Sequence, residues 1–123
     1  PVLKGMYTTE ENAESLTGLI DFCGKNGVGE KPLLFWGDAP GLSYILDTPS
    51  AIFTTWPEIP SNSYGELDRA LKELEWNPDI ILHNEPGRDI VEGEKTDLIL
   101  DYIAEYHYTC IYENNCYKIY RLL

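Results

Sequence analysis

Five side chains have the types and spacing to do chemistry: Asp38, Tyr44, Trp56, His83 and Glu85. Asp38 lies in Trp36-Gly37-Asp38-Ala39-Pro40-Gly41 and offers a carboxylate where an apolar run ends. Tyr44 and Trp56 offer rings for stacking, and His83 offers a general base beside Glu85. Two residues apart at a strand end, His83 and Glu85 point to the same side, and a carboxylate neighbour raises a histidine's proton affinity. The turn and the histidine also have plainer roles. Gly37 permits a tight turn, Asp38 caps a short helix, Trp36 is core, and a strand-end histidine is polar surface. No G-x-S-x-G motif accompanies His83, so no catalytic residue is assigned. The five remain candidate ligand-binding residues.

Metal and cofactor chemistry find little support. Cys23, Cys110 and Cys116 lack C-x-x-C spacing, which argues against structural zinc. The acidic pairs Glu10-Glu11, Glu73 with Glu75, and Asp97 with Asp101 fall on outer helical faces and do not converge. Gly37–Gly41 lacks G-x-G-x-x-G spacing, and Pro40 removes an amide that would face a phosphate. No cofactor and no metal are expected. Cys110 and Cys116 flank a hairpin turn at Glu113-Asn114-Asn115; their pairing depends on the loop's length and stays open. His107 ends a helix, where a cation suits the dipole.

The elements that must position these residues follow from periodicity. Thr8 with Glu11 forms a capping box ahead of Ala13, Leu16, Leu19, Ile20 and Cys23, predicting a helix over 10–24. Pro32 introduces Leu33–Trp36, an apolar run suited to a strand covered on both faces. Residues 42–46 suit a short helix starting near Asp38 or Ala39, with Pro40 in its first turn. Ala51–Thr54 reads as a second strand. Ser63 with Glu66 caps a helix carrying Leu67, Ala70, Leu71 and Leu74, with Asp68 and Lys72 paired on its outside, and Asn77-Pro78 stops it. Asp79–His83 is a third strand. After a polar loop, Thr96 caps a helix bearing Ile99, Tyr102, Ile103 and Tyr106, and the alternating runs 108–112 and 116–121 form a hairpin.

Strands alternating with helices imply an α/β domain: a small, Rossmann-like, three-layer α/β/α arrangement. Its sheet is expected to be mainly parallel, with a C-terminal antiparallel hairpin. Ligands in such sheets sit beyond the carboxyl ends of the strands, where Asp38 and His83 fall.

The 123 residues suit one domain, spanning 1–123, with a single sizeable core. Hydrophobic content of 43% and charged content of 24% are those of a soluble globular chain. The net charge of -12 excludes a phosphate-neutralising surface, so nucleic acid is not a partner, and it disfavours anionic lipid. No apolar run approaches the roughly 20 residues that span a bilayer. The opening Pro1-Val2-Leu3-Lys4 without a methionine suggests an excised or processed chain. Six tyrosines crowd the last third, from Tyr102 to Tyr120, suiting core lining, a carbohydrate or peptide platform, or a docking face.

The segment Leu33-Leu34-Phe35-Trp36-Gly37-Asp38-Ala39-Pro40-Gly41-Leu42-Ser43-Tyr44-Ile45-Leu46 resembles one found after the last membrane helices of bacterial polytopic glycosyltransferases. That segment is an apolar strand followed by Gly-Asp/Asn and x-Pro-x-Leu-x-Tyr-x-Leu. These enzymes are the mannosyltransferases and aminoarabinose transferases that use lipid-phosphate sugars. The likeness continues through Pro49-Ser50-Ala51, Asn77–Ile81 and the tyrosine-rich hairpin. It implies a C-terminal domain on the extracytoplasmic face of the membrane, partnered by the membrane-embedded part of its own polypeptide. Lipid-linked sugar or carbohydrate would be nearby, with catalysis carried by an acidic residue of the membrane portion. Only the Gly37-Asp38-x-Pro40 turn and Tyr44 carry over, as family positions of unassigned role. The alternative is a stand-alone small-ligand or protein-interaction module.

Overall fold

The computed structural model describes residues 10–37, 41–54, 57, 61–83 and 94–123. They form α1 (Glu10–Asn26), β1 (Leu34–Trp36), α2 (Leu42–Leu46), α3 (Tyr64–Lys72), β2 (Ile80–His83), α4 (Glu94–Glu105), β3 (Thr109–Glu113) and β4 (Tyr117–Arg121). The chain is a mixed α/β domain with one four-stranded sheet, ordered β1-β2-β4-β3.

β1 pairs with β2 in parallel, Leu34 opposite Ile80 and Trp36 opposite Leu82. β4 runs antiparallel to both neighbours, with Ile81 opposite Ile119 on one side and Glu113 opposite Lys118 on the other. β1, β2 and β3 therefore point the same way, yet only the β1–β2 pairing is parallel because β4 lies between β2 and β3. The expectation of a mainly parallel sheet is corrected on this point.

The strand expected at Ala51–Thr54 is also absent. Leu33 makes an isolated parallel bridge to Ser50, with Leu33 N donating to Pro49 O and Ala51 N to Leu33 O. Beyond it, Ser50 Oγ donates to Thr54 O and accepts from Ile52 N, so a local side-chain turn takes the groups a ladder would need.

Strand residues alternate between two hydrophobic clusters. Leu33, Phe35, Ile81 and Ile119 pack with Leu16, Leu19 and Cys23 of α1 and Leu42 of α2. Leu34, Trp36 and Ile80 pack with Leu67 and Leu71 of α3 and Ile99 and Tyr102 of α4. Trp36 also donates its indole N–H to Lys95 O, at 3.1 Å, which ties β1 to α4. Cys23 and Trp36 are core, as their settings in the sequence predict.

Helix ends show where local chemistry was and was not anticipated. Ser63 is the N-cap of α3, its hydroxyl accepting from Glu66 N at 3.2 Å and donating to Glu66 Oε1 at 3.0 Å. Asp68 and Lys72 pair on the outside of α3 at 2.9 Å. That helix ends at Lys72, well before Asn77-Pro78. Thr96 lies inside α4 and is buried, so it is not the cap. The N-cap of α2 is Gly41, with no side-chain cap. Asp38, Ala39, Pro40 and Thr8, with the capping roles expected of them, lie outside the described residues.

The hairpin loop is organised by Asn114. Its Oδ1 accepts from Cys116 N and Tyr117 N, both at 2.9 Å, and its Nδ2 donates to Ser15 O in α1. Gly18 lets α1 approach β3: a Cβ there would stand 2.7 Å from the Tyr112 hydroxyl. α4 closes in a Schellman motif, with Tyr108 N donating to Ile103 O and His107 N to Ala104 O. His107 occupies the left-handed position at φ 58°, which costs a non-glycine residue about 1 kcal/mol. His107→Gly is therefore expected to stabilise the protein by up to about 1 kcal/mol, offset in part by the entropy of an unfolded glycine. Urea denaturation reads this as a higher midpoint at unchanged slope.

Candidate functional site

At the carboxyl edge of the sheet the backbone leaves little room. β1 ends at Trp36, and Gly37 follows at φ +98°. A Cβ at Gly37 would overlap the carbonyl oxygen of His83, the last residue of β2. The turn after β1 is thus built on glycine for two reasons, a positive φ and direct backbone contact with the neighbouring strand end.

Of the five candidate side chains, Tyr44 and His83 are described; Asp38, Trp56 and Glu85 lie outside the described residues. Tyr44 sits on α2 and is 79% exposed. Leu42, two residues earlier and so on the far side of the helix, is buried and anchors it. The helix is closed by Asp47 at φ 51°, with Asp47 N donating to Tyr44 O and Thr48 N to Ser43 O. Buried Thr48 then donates to Gly29 O at 3.0 Å, fastening α2 to the loop after α1.

His83 is half-buried, its ring 5.0 Å from that of Tyr117 across the β2–β4 pair. Burial pushes the Tyr117 hydroxyl up to about 12, so the phenol stays neutral across the physiological range. The tyrosines of the last third divide: Tyr102, Tyr108 and Tyr117 line the core, while Tyr106 is exposed. Tyr108 donates to Pro78 O at 2.7 Å, and burial raises its pKa strongly.

At the opposite, amino-terminal edge lies a cleft of about 280 Å³ that the sequence did not single out. Asp79 immediately precedes β2 and Arg121 ends β4, so the antiparallel register brings them together. Arg121 Nε lies 3.2 Å from both carboxylate oxygens of Asp79, and Nη2 lies 2.8 Å from Oδ2. Nη2 also donates to Asn26 O at the end of α1. Lys31, Glu30, Trp76 and Asn77 complete the polar wall. In sequence, Asn77-Pro78 reads as a helix stop and as part of the family-like stretch Asn77–Ile81, with no site assigned there. The available signal was an acidic residue just before one strand and a basic residue at the end of another.

Among the described residues, no group of three or more His, Cys, Asp or Glu side chains is placed to hold a metal ion. No described helix is long and apolar enough to cross a membrane. None of the three cysteines is in a disulfide, and Cys110 and Cys116 face different surroundings: Cys110 is exposed, opposite Tyr120, and Cys116 is buried in the hairpin loop. Comparison with protein-family models, curated proteins and solved structures found no match.

Two outcomes follow from this geometry. Gly37→Ala forces both a strained φ and an overlap with His83, and is expected to destabilise the protein by about 2 kcal/mol or more in a denaturant titration. Burial, followed by the Asp79 charge, raises the Cys23 thiol to about 11, and Cys116 is enclosed. A maleimide at neutral pH should therefore modify Cys110 alone in the native protein and all three thiols after denaturation, as read by intact mass.

Proposed function

We propose that this chain is an accessory, non-catalytic extracytoplasmic domain of a bacterial membrane glycosyltransferase that uses lipid-linked sugar donors. On this reading it works beside the membrane-embedded part of the same polypeptide, helping to bind an acceptor or to organise external loops. The fold is then a small Rossmann-like three-layer α/β/α domain. Its support is the coverage of one cluster by α1 and of the other by α3 and α4, with a single parallel crossover from β1 to β2.

The observation that carries the reading is the disposition of the family-like segment. Leu33, Leu34, Phe35, Trp36 and Leu42 are buried, while Tyr44 is held outward on a five-residue helix. A large ring kept in solvent on a short helix, closed at its carboxyl end by backbone hydrogen bonds, is suited to contacting a neighbour. The resemblance supplies the neighbour's identity. It places the catalytic acid in the membrane portion, so no catalytic residue is assigned to this chain. A stand-alone small-ligand module is the second reading, favoured by the cleft at Asp79 and Arg121.

The reading frame that encodes these residues decides between them. The first reading expects a series of apolar spans, each of about 20 residues, upstream of residue 1. A frame without them removes it. In intact cells producing the full-length protein, a membrane-impermeant maleimide should modify Cys110 without permeabilisation of the inner membrane. Labelling that requires such permeabilisation would overturn the extracytoplasmic assignment.

A further inference from the structure

The cleft at the amino-terminal edge of the sheet has properties that point to one class of ligand. Its four charged side chains balance, Lys31 and Arg121 against Glu30 and Asp79, in a chain of net charge -12. With Asp79 and Arg121 neutralising one another and Glu30 balancing Lys31, the cleft carries no net charge to draw in an anion or a cation, and a neutral molecule suits it. Its volume of about 280 Å³ falls just below the range of drug-sized ligand sites, which begins near 300 Å³, and suits a smaller molecule.

Its hydrogen-bonding groups are fixed and planar. Arg121, which lines the cleft, spends Nε and Nη2 on Asp79 and Asn26 O, so its guanidinium is held in one orientation there. The paired Asp79 carboxylate retains lone pairs for a hydroxyl. Asn77, which also lines the cleft, is fixed by its Nδ2 donating to the Tyr102 hydroxyl. Beside them, Trp76 is 40% exposed and gives the cleft an aromatic surface. The backbone turns tightly at Gly27 (φ +68°) and Gly29 (φ +98°), both of which line the cleft.

An aromatic surface beside rigid planar donors and acceptors matches a ring with C–H bonds on one face and hydroxyls around its rim. We propose that this cleft is a binding site for a neutral saccharide, sized for a single pyranose. Trp76 packs on the apolar face of the ring. Asp79, Arg121 and Asn77 hold its hydroxyls, and because Asp79 and Arg121 already fix one another, little side-chain entropy is lost on binding. This site lies at the opposite end of the sheet from Gly37 and His83, and it stands whether or not the chain belongs to a membrane protein.

Two-dimensional NMR of the 123-residue chain with methyl β-D-glucopyranoside and methyl α-D-mannopyranoside tests it. Saturable shifts are expected at the Trp76 indole N–H and at the amides of Gly29, Lys31 and Leu122, with a dissociation constant on the order of 1 mM for the better glycoside. Trp76→Ala should weaken binding about tenfold or more. Trp76→Phe should restore part of it, and Lys31→Ala should keep the fold and change affinity only modestly. Amide dispersion reports whether each variant is folded; if Trp76→Ala is not, the graded loss in Trp76→Phe serves in its place. Absence of shifts at these residues with both glycosides overturns the proposal. So does a cleft that responds to inorganic phosphate and not to the glycosides, or binding unchanged by Trp76→Phe and Trp76→Ala. None of these outcomes bears on the upstream membrane spans, so the two readings fail separately.

Discussion

Arg121 holds together three parts of the chain that converge from distant positions in sequence. Its guanidinium reaches the Asp79 carboxylate at the head of β2 and the Asn26 carbonyl at the tail of α1, while its own backbone ends β4. The pair is only partly exposed, 29% for the arginine side chain and 19% for the aspartate. Bidentate geometry puts it at or above the upper end, about 1 kcal/mol, of what exposed ion pairs contribute. The i,i+4 pairs on α1 and α3 are far more solvated and contribute less. Register is the other consequence: Arg121 meets Asp79 only with Tyr120 opposite Ile80, which also sets Ile119 against Ile81 in the core.

The two ends of the sheet are built on different principles. At the carboxyl edge, backbone meets backbone, and Gly37 against His83 leaves no room even for a methyl group. At the amino edge, long polar side chains stand away from the strands and leave open space. In a parallel α/β sheet the strand order usually opens a crevice at the carboxyl ends. Here the β1–β2 pair is closed at that end by contact, and the antiparallel β4 brings its last residue to the opposite end. Topology therefore accounts for where the cleft lies.

Much of this was legible from residue pattern. The capping box at Ser63, the helix at 42–46, the core roles of Trp36 and Cys23, and the closing hairpin all rest on local signals that tertiary packing did not override. Ala51–Thr54 misled because an apolar run of strand length carries no information about Ser50, whose hydroxyl competes for the backbone. The sheet's mixed character was hidden for a related reason. Alternation of strands and helices says which elements exist but not that β4 inserts between β2 and β3. Of the candidate site, Tyr44 was found as an exposed ring. The Asp79–Arg121 pair was missed because its members are 42 residues apart and only the sheet register joins them.

The bulge between Cys110 and Tyr112 in β3 bears on how the molecule behaves among its own copies. β3 is the outer strand on one side of the sheet, where unpaired amides invite a foreign strand to add. A bulge bends such an edge, and the Glu113–Lys118 pair sets charges beside it. On the other side, the backbone of Pro49 and Ala51 occupies the hydrogen-bonding groups of Leu33, at the entry to β1. Hydrogen-bonded growth of the sheet is thus discouraged along β3 and at the entry to β1, the two places where a foreign strand would have to begin pairing.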